Sequence, residues 1–165
     1  MSSLRAGDIL LFKYGGLISK LIKWGTSSIY SHCAVCVDPD KNLLIEAQGR
    51  VRAEDIRRMT EYDTYRVKSE YEYNLNDVVS FLVDKLNRKY DYLGVVYLGL
   101  LKLLSRLKFP LKNKANKWQK EHDYFCSELT YNAFLAGGLD IVPQVKKGEI
   151  TSPGDIAKSE ITEKV

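Results

Sequence analysis

The order of elements in this chain predicts an α+β fold. Three observations carry that reading. Apolar runs of strand length fill the amino-terminal part, turn chemistry joins two of them, and from Asn76 the apolar period becomes helical. Asp8-Ile-Leu-Leu-Phe-Lys13, after Ala6-Gly7, reads as a buried strand. A Gly15-Gly16 break follows, then Leu17 to Trp24 with helical spacing, then Gly25-Thr-Ser-Ser28. Ser31 to Val37 and Asn42 to Gln48 are strand-like and joined by Asp38-Pro-Asp-Lys41. Proline presets φ there and the aspartates bond the local backbone, so the two runs form a hairpin. Thr64 to Lys68 alternates and adds a strand. Asn76 is the expected N-cap of a helix with the stripe Val78, Val79, Leu82, Val83 and Leu86. A second helix is expected over Leu93 to Leu104, and a third from Phe125 to Ala136, stopped by Gly137-Gly138. Ser152-Pro153 reads as an N-cap followed by proline at the first helical position.

The 165 residues suit one domain spanning 1–165, at roughly 100–200 residues per domain. With 45% hydrophobic and 28% charged residues, disorder, collagen-like repetition and a membrane-spanning channel are excluded. A net charge of +4 is mildly basic, well short of a dedicated nucleic-acid binder. Three cysteines cannot make a fully paired disulfide framework. The 11 tyrosines against 5 phenylalanines leave many aromatic rings with a polar tip to satisfy. No secretory signal is legible, because Asp8 falls early and Lys13, Lys20 and Lys23 interrupt the apolar stretch. The longest apolar run, Leu93 to Leu101, is far below the ~18 residues of a spanning helix. The chain as written is expected to be cytoplasmic, a phage origin or export by an accessory route being the other contexts.

Cys126 stands at the predicted amino end of a helix, in Tyr124-Phe-Cys-Ser-Glu-Leu129. Free N–H groups and the positive dipole end favour a thiolate there and offer donors to an oxyanion. The plain alternative is a buried structural cysteine. His32 and Glu46 bear on that choice. In a hairpin turning about Asp40, Glu46 faces Ala34 and His32 faces Gln48, which makes His32 and Glu46 diagonal neighbours on one sheet face. A carboxylate there orients one imidazole nitrogen and leaves the other for a thiolate. A satisfied core histidine beside an edge-strand glutamate is the competing reading, and Gln48 is the rival orienting residue. Cys33-Ala-Val-Cys36, with His122 and Cys126, has zinc-ligand spacing. Residues three apart on a strand point to opposite faces, so Cys33 and Cys36 are better read as small core side chains.

Lys102 to Lys120 carries seven cations and no acid, against a whole-chain charge of +4. It reads either as a solvated lysine-rich loop or as an interfacial element meeting a membrane or cell-wall polyanion. No phosphate-cradling loop accompanies it, so nucleic acid is not an expected partner.

Taken together these residues resemble the circularly permuted branch of the NlpC-type, papain-like cysteine hydrolases, in particular the YiiX/YebB-like amidases. The shared features are the Gly7-Asp8-Ile-Leu-Leu-Phe strand, Ser31-His32, Glu46-Ala47, Tyr90-Asp-Tyr92-Leu-Gly94, Phe125-Cys126-Ser-Glu-Leu129 and Ser152-Pro-Gly-Asp155. They extend from Gly7 to Asp155 in a specific order, histidine first, carboxylate next, cysteine last. The resemblance implies a small antiparallel sheet or open barrel packed against helices, with Cys126 as nucleophile, His32 as general base and acid, and Glu46 as the orienting residue. It implies amide cleavage in a small peptide or peptidoglycan-derived substrate through an acyl-thioester, with no cofactor and no metal. Two other functions fit the same residues: a lipid-directed thiol acyltransferase or esterase, similar to the lecithin–retinol acyltransferase relatives, and a non-catalytic relative that binds a peptide or amino acid.

Overall fold

A computed structural model of the chain describes residues 3–90, 123–145 and 151–165. Among them the elements run β1 (Ile9–Phe12), α1 (Leu17–Thr26), β2 (His32–Asp38), β3 (Leu43–Gln48), β4 (Arg50–Asp55), β5 (Tyr62–Val67), α2 (Leu75–Asp84), β6 (Lys89–Tyr90), β7 (Asp123–Tyr124), α3 (Cys126–Ala136), α4 (Pro153–Ala157) and β8 (Thr162–Lys164). The strands form one sheet in the order β7-β6-β4-β3-β2-β1-β5-β8, antiparallel except for the parallel β6–β7 contact. The fold class is α+β, as the order of elements predicts.

β1, Ile9 to Phe12, is buried along its whole length. That explains why it reads as an unbroken apolar run rather than an alternating one, since both faces of the sheet are covered. Leu10, Phe12, Ala34, Cys36, Leu44 and Ile56 form one layer. Ile9, Leu11, Cys33, Val35, Ile45 and Ala47 face the other way and pack with Val78 and Leu82 of α2 and Leu129, Ala133 and Phe134 of α3. The hairpin register is the expected one, with Ala34 opposite Glu46, Val35 opposite Ile45 and Cys36 opposite Leu44. A bulge then shifts Asp38 opposite Leu43, and Asn42 closes the turn with φ 56°.

Some expectations need correction. The N-cap of α2 is Asn74, whose side chain accepts from the N–H groups of Asn76 and Asp77, so Asn76 lies inside the helix. Val83 is 50% exposed, and Phe81 packs on the core instead. The geometric cause is the α3 terminus, which meets α2 at its start: Asn74 N–H donates to Gly137 O at 2.8 Å. A Cβ on Gly137 would lie 2.6 Å from Val78 Cγ2, so this close approach requires glycine. β4 was not anticipated, because only Val51 in Arg50-Val-Arg-Ala-Glu-Asp55 is buried. The helix expected over Leu93 to Leu104 and the basic stretch Lys102 to Lys120 lie outside the described residues. Among the described residues no helix is long and apolar enough to cross a membrane.

Asp8 ties the start of the chain to β5. Its buried carboxylate accepts from Arg66 Nε and Nη2, each at 2.7 Å, and from the Arg5 N–H at 2.7 Å. Replacing one partner of a buried ion pair strands the other without compensation. Asp8→Ala is therefore expected to cost about 3–5 kcal/mol, read as a lower urea midpoint at unchanged m-value.

Candidate active site

Cys126 is the first residue of α3, with Phe125 in extended conformation as the N-cap. The first-turn N–H groups have no intrahelical acceptor, and the helix dipole adds positive potential at the sulfur. α3 lies across β2 and β3. The β2–β3 ladder begins at the Ala34–Glu46 pair, so His32 and Cys33 of β2 precede it. At that end the Cys33 N–H donates to the Cys126 sulfur. The helix start is thus seated at the end of the hairpin ladder, with Cys126 only 5% exposed.

His32 opens β2 and is almost as buried. Its Nε2 pairs with Glu46 Oε2 at 2.7 Å. The other ring nitrogen, Nδ1, is the one left for the Cys126 thiol, with which the imidazole forms a hydrogen bond. Glu46 is 1% exposed, and its second oxygen accepts from Arg52 Nε at 2.9 Å and Nη2 at 2.7 Å. The structure thus brings together the three residues singled out from sequence. Gln48 is not on the imidazole; its Oε1 accepts from Arg52 Nη2 at 2.6 Å.

The electrostatics favour a thiolate–imidazolium pair. Cys126 is held well below the usual thiol range, chiefly by the hydrogen bond from the Cys33 thiol, then, against burial, by the charge of His32. Burial acts against a charged imidazole at His32, yet the Cys126 sulfur and Glu46 outweigh it and raise its pKa to about 9. Burial would raise Glu46, but His32 and Arg52 hold it below its ordinary value. Cys33 moves the other way: burial, then donation to Cys126, pushes its thiol well up. Its Sγ also lies 3.5 Å from Thr130 Oγ1, which in turn donates to Cys126 O at 3.0 Å.

Two residues at this site were not assigned to it from sequence. Cys33 was read as packing, which it is, but it is also a hydrogen-bond donor to the Cys126 sulfur. Arg52 gave no signal because it lies on the strand the apolar pattern does not reveal. Cys33 and Cys36 belong to opposite layers, as their spacing on a strand predicts, and His122 lies outside the described residues. Burial and then Asp8 push the Cys36 thiol up to about 11.

Surrounding contacts fix the pieces. Phe12 and Tyr14 lie against the imidazole, with ring centroids at 5.4 Å and 5.8 Å. The Tyr14 hydroxyl reaches Met59 Sδ at 3.4 Å, and burial, with Glu46, raises its pKa to about 12. Ser127 Oγ donates to Thr151 O at 2.7 Å, and Ser152 and Asp155 close a capping box on α4. A Cβ on Gly154 would sit 2.5 Å from Ser28 Cβ. The Ser152-Pro-Gly-Asp155 turn is therefore a bracket, held to the helix bearing Cys126 on one side and to the loop leading to His32 on the other.

Cys33→Ala removes a hydrogen bond to a charged sulfur, about 1.5–3 kcal/mol, or roughly one to two pH units at 1.36 kcal/mol each. The pH at which Cys126 becomes alkylatable is expected to rise by that amount, followed by mass spectrometry. Gly154→Ala is expected to lower stability by ~1–3 kcal/mol through overpacking and to slow Cys126 alkylation, because the displaced Ser28 carries the His32 loop with it; a melting curve and the alkylation rate report both.

No protein-family model matches the chain, and no curated protein matches it. Among solved structures, the crystal structure of the metalloprotein yiiX from Escherichia coli O157:H7 aligns with a TM-score of 0.72 at 16% identity, covering 99% of this chain and 97% of that one. The likeness to YiiX-like proteins read from the motifs therefore holds as a likeness of fold, over nearly the whole length of both chains.

Proposed function

We propose that this chain is a cysteine hydrolase, an amidase or peptidase cleaving an amide bond in a small peptide or peptidoglycan-derived substrate, on a circularly permuted papain-like framework. The observation that supports it is the position of His32, hydrogen-bonded to the Cys126 thiol on one side and to the Glu46 carboxylate on the other. In this reading the Cys126 thiolate attacks the carbonyl carbon, a C–S bond forms, and the oxyanion meets N–H groups at the start of α3. The intermediate collapses as the C–N bond breaks, and His32 gives its proton to the leaving amine. His32 then takes a proton from water, hydroxide adds to the thioester, and the Cys126 thiolate departs. Glu46 holds the imidazole in the orientation both proton transfers need.

The description of yiiX as a metalloprotein prompts a test of the donors here. Among the described residues no group of three or more His, Cys, Asp or Glu side chains is arranged to hold a metal ion. Cys33 and Cys36 diverge, and His32 Nε2 is engaged by Glu46. The donor set does not fit, and the proposed steps use none.

A lipid-directed acyltransferase or esterase is the second reading. It draws on Trp24 near the end of α1 and Ile29 in the loop leading to His32, which are 52% and 59% exposed. Salt-sensitive sedimentation with anionic liposomes is its signature.

Iodoacetamide labelling of Cys126 between pH 5 and 8 tests the thiolate. The intact protein is expected to label already at pH 6, and His32→Ala to label at least ~10-fold more slowly there. Amide turnover should rise with pH as the thiolate forms and fall through about 9 as His32 loses the proton the leaving amine requires. Labelling confined to pH above ~8 and indifferent to His32 would falsify the proposal.

A further inference from the structure

We infer that Arg52 is a positioning residue for the His32–Cys126 pair and acts through Glu46, an inference that rests on the cysteine-hydrolase reading. Arg52 and Glu46 are direct cross-strand partners in the β3–β4 ladder. The guanidinium places two donors on the same oxygen, Oε1, and so leaves Oε2 to His32 Nε2. The two oxygens of one carboxylate are thereby divided between two cations. The last torsion of a glutamate side chain is broad and roughly two-fold, so a carboxylate held at only one oxygen has little to fix its plane. Glu46 is buried and Arg52 is 39% exposed, so the guanidinium also brings a solvated charge to a carboxylate that burial alone would neutralise.

Arg52 is itself braced. Gln48 Oε1 accepts from Nη2 at 2.6 Å, and Glu54 Oε2 lies 3.8 Å from the same nitrogen. Glu54 is shared with Arg58 at 3.6 Å, so it does not compete fully for Arg52. Among the described residues, Tyr14 lies over the imidazole and Cys33 beside the Cys126 sulfur. From β4 to α3 the charges alternate: guanidinium, carboxylate, imidazolium, thiolate. An ordinary exposed ion pair contributes almost nothing. This one differs because its acceptor is buried and is also the acceptor for His32.

Three variants test it: Arg52→Met, Arg52→Lys, and Arg52→Met in a Glu46→Gln background, with Arg57→Ala, whose guanidinium pairs with Asp55 instead, as the control. Cys126 alkylation at pH 6 is expected to fall roughly tenfold to a hundredfold in Arg52→Met, the worth of a charge-assisted hydrogen bond. The His32 NMR titration should move to lower pH in the same variant. Arg52→Lys, which keeps the charge without the fork, should recover part of both. In the Glu46→Gln background Arg52→Met should add little, since the route is through Glu46. Arg57→Ala should leave alkylation unchanged. Should Arg52→Met not fold, Arg52→Gln serves in its place. An unchanged alkylation profile and His32 titration in the charge-removing variant overturns the inference, as does an equal loss in the Glu46→Gln background. If the unaltered protein fails to label below pH ~8, the hydrolase reading itself falls, which is a different result.

Discussion

Glu46 is the group on which the site depends. It is a carboxylate at 1% exposure in the middle of a sheet. Such a group is either neutral or paired on more than one side, because an isolated buried charge is far too costly. Its own strand, β3, supplies no partner. The two strands flanking it each supply a cation: Arg52 from β4 and His32 from β2. The neighbour order in the sheet is therefore set by charge as well as by apolar burial, and the charge requirement specifies which end of β2 faces which oxygen.

Cys126 completes the line from the opposite direction. A helix start packed over a sheet needs acceptors and donors matched at close range, and here the helix meets β2 ahead of the first β2–β3 pair, at Ala34–Glu46. The Cys33 N–H and thiol both turn to the sulfur. The same residue thus packs the core and stabilises a charge, and its own thiol titrates higher in consequence. Ser127, next in the helix, ties this end to the Thr151–Ser152 segment, so the sulfur is fixed from both sides of the chain.

How much of this was legible in the sequence follows from the range of each signal. The His32–Glu46 relation was readable because hairpin register and two-residue alternation are local, and Asp38-Pro-Asp marks the turn. The helix start at Cys126 and the Gly137-Gly138 stop were readable for the same reason. Arg52 was not, because β4 buries a single apolar residue and a charged strand looks like a loop to any apolar period. Cys33 was half read: its inward position is local information, but its contact with Cys126 joins residues ninety-odd positions apart. Asn76 is a good capping residue ahead of an apolar stripe, but Asn74, two positions earlier, is an equally good one. What decides between them is the Asn74 N–H bond to Gly137 O, a tertiary contact. Gly154 was noted within a motif, yet its reason, the 2.5 Å approach to Ser28 that a Cβ would make, exists only in the fold.

The four charged groups have a property that none has singly. Arg52, Glu46, His32 and Cys126 sum to zero when the thiol has given its proton to the imidazole, and each charge lies between charges of opposite sign or at an end of the line. Proton transfer from Cys126 to His32 therefore does not create an unpaired buried charge; it converts a polarised neutral pair into one matched on both flanks. Removing any inner member leaves two like or unmatched charges facing each other in a desolvated space. Single replacements along the line must then cost more in sum than removal of the whole, as groups acting as one unit do. The same matching explains why a site so enclosed holds a thiolate at all, since burial at this depth opposes one. The partners, taken as a set, reverse that balance.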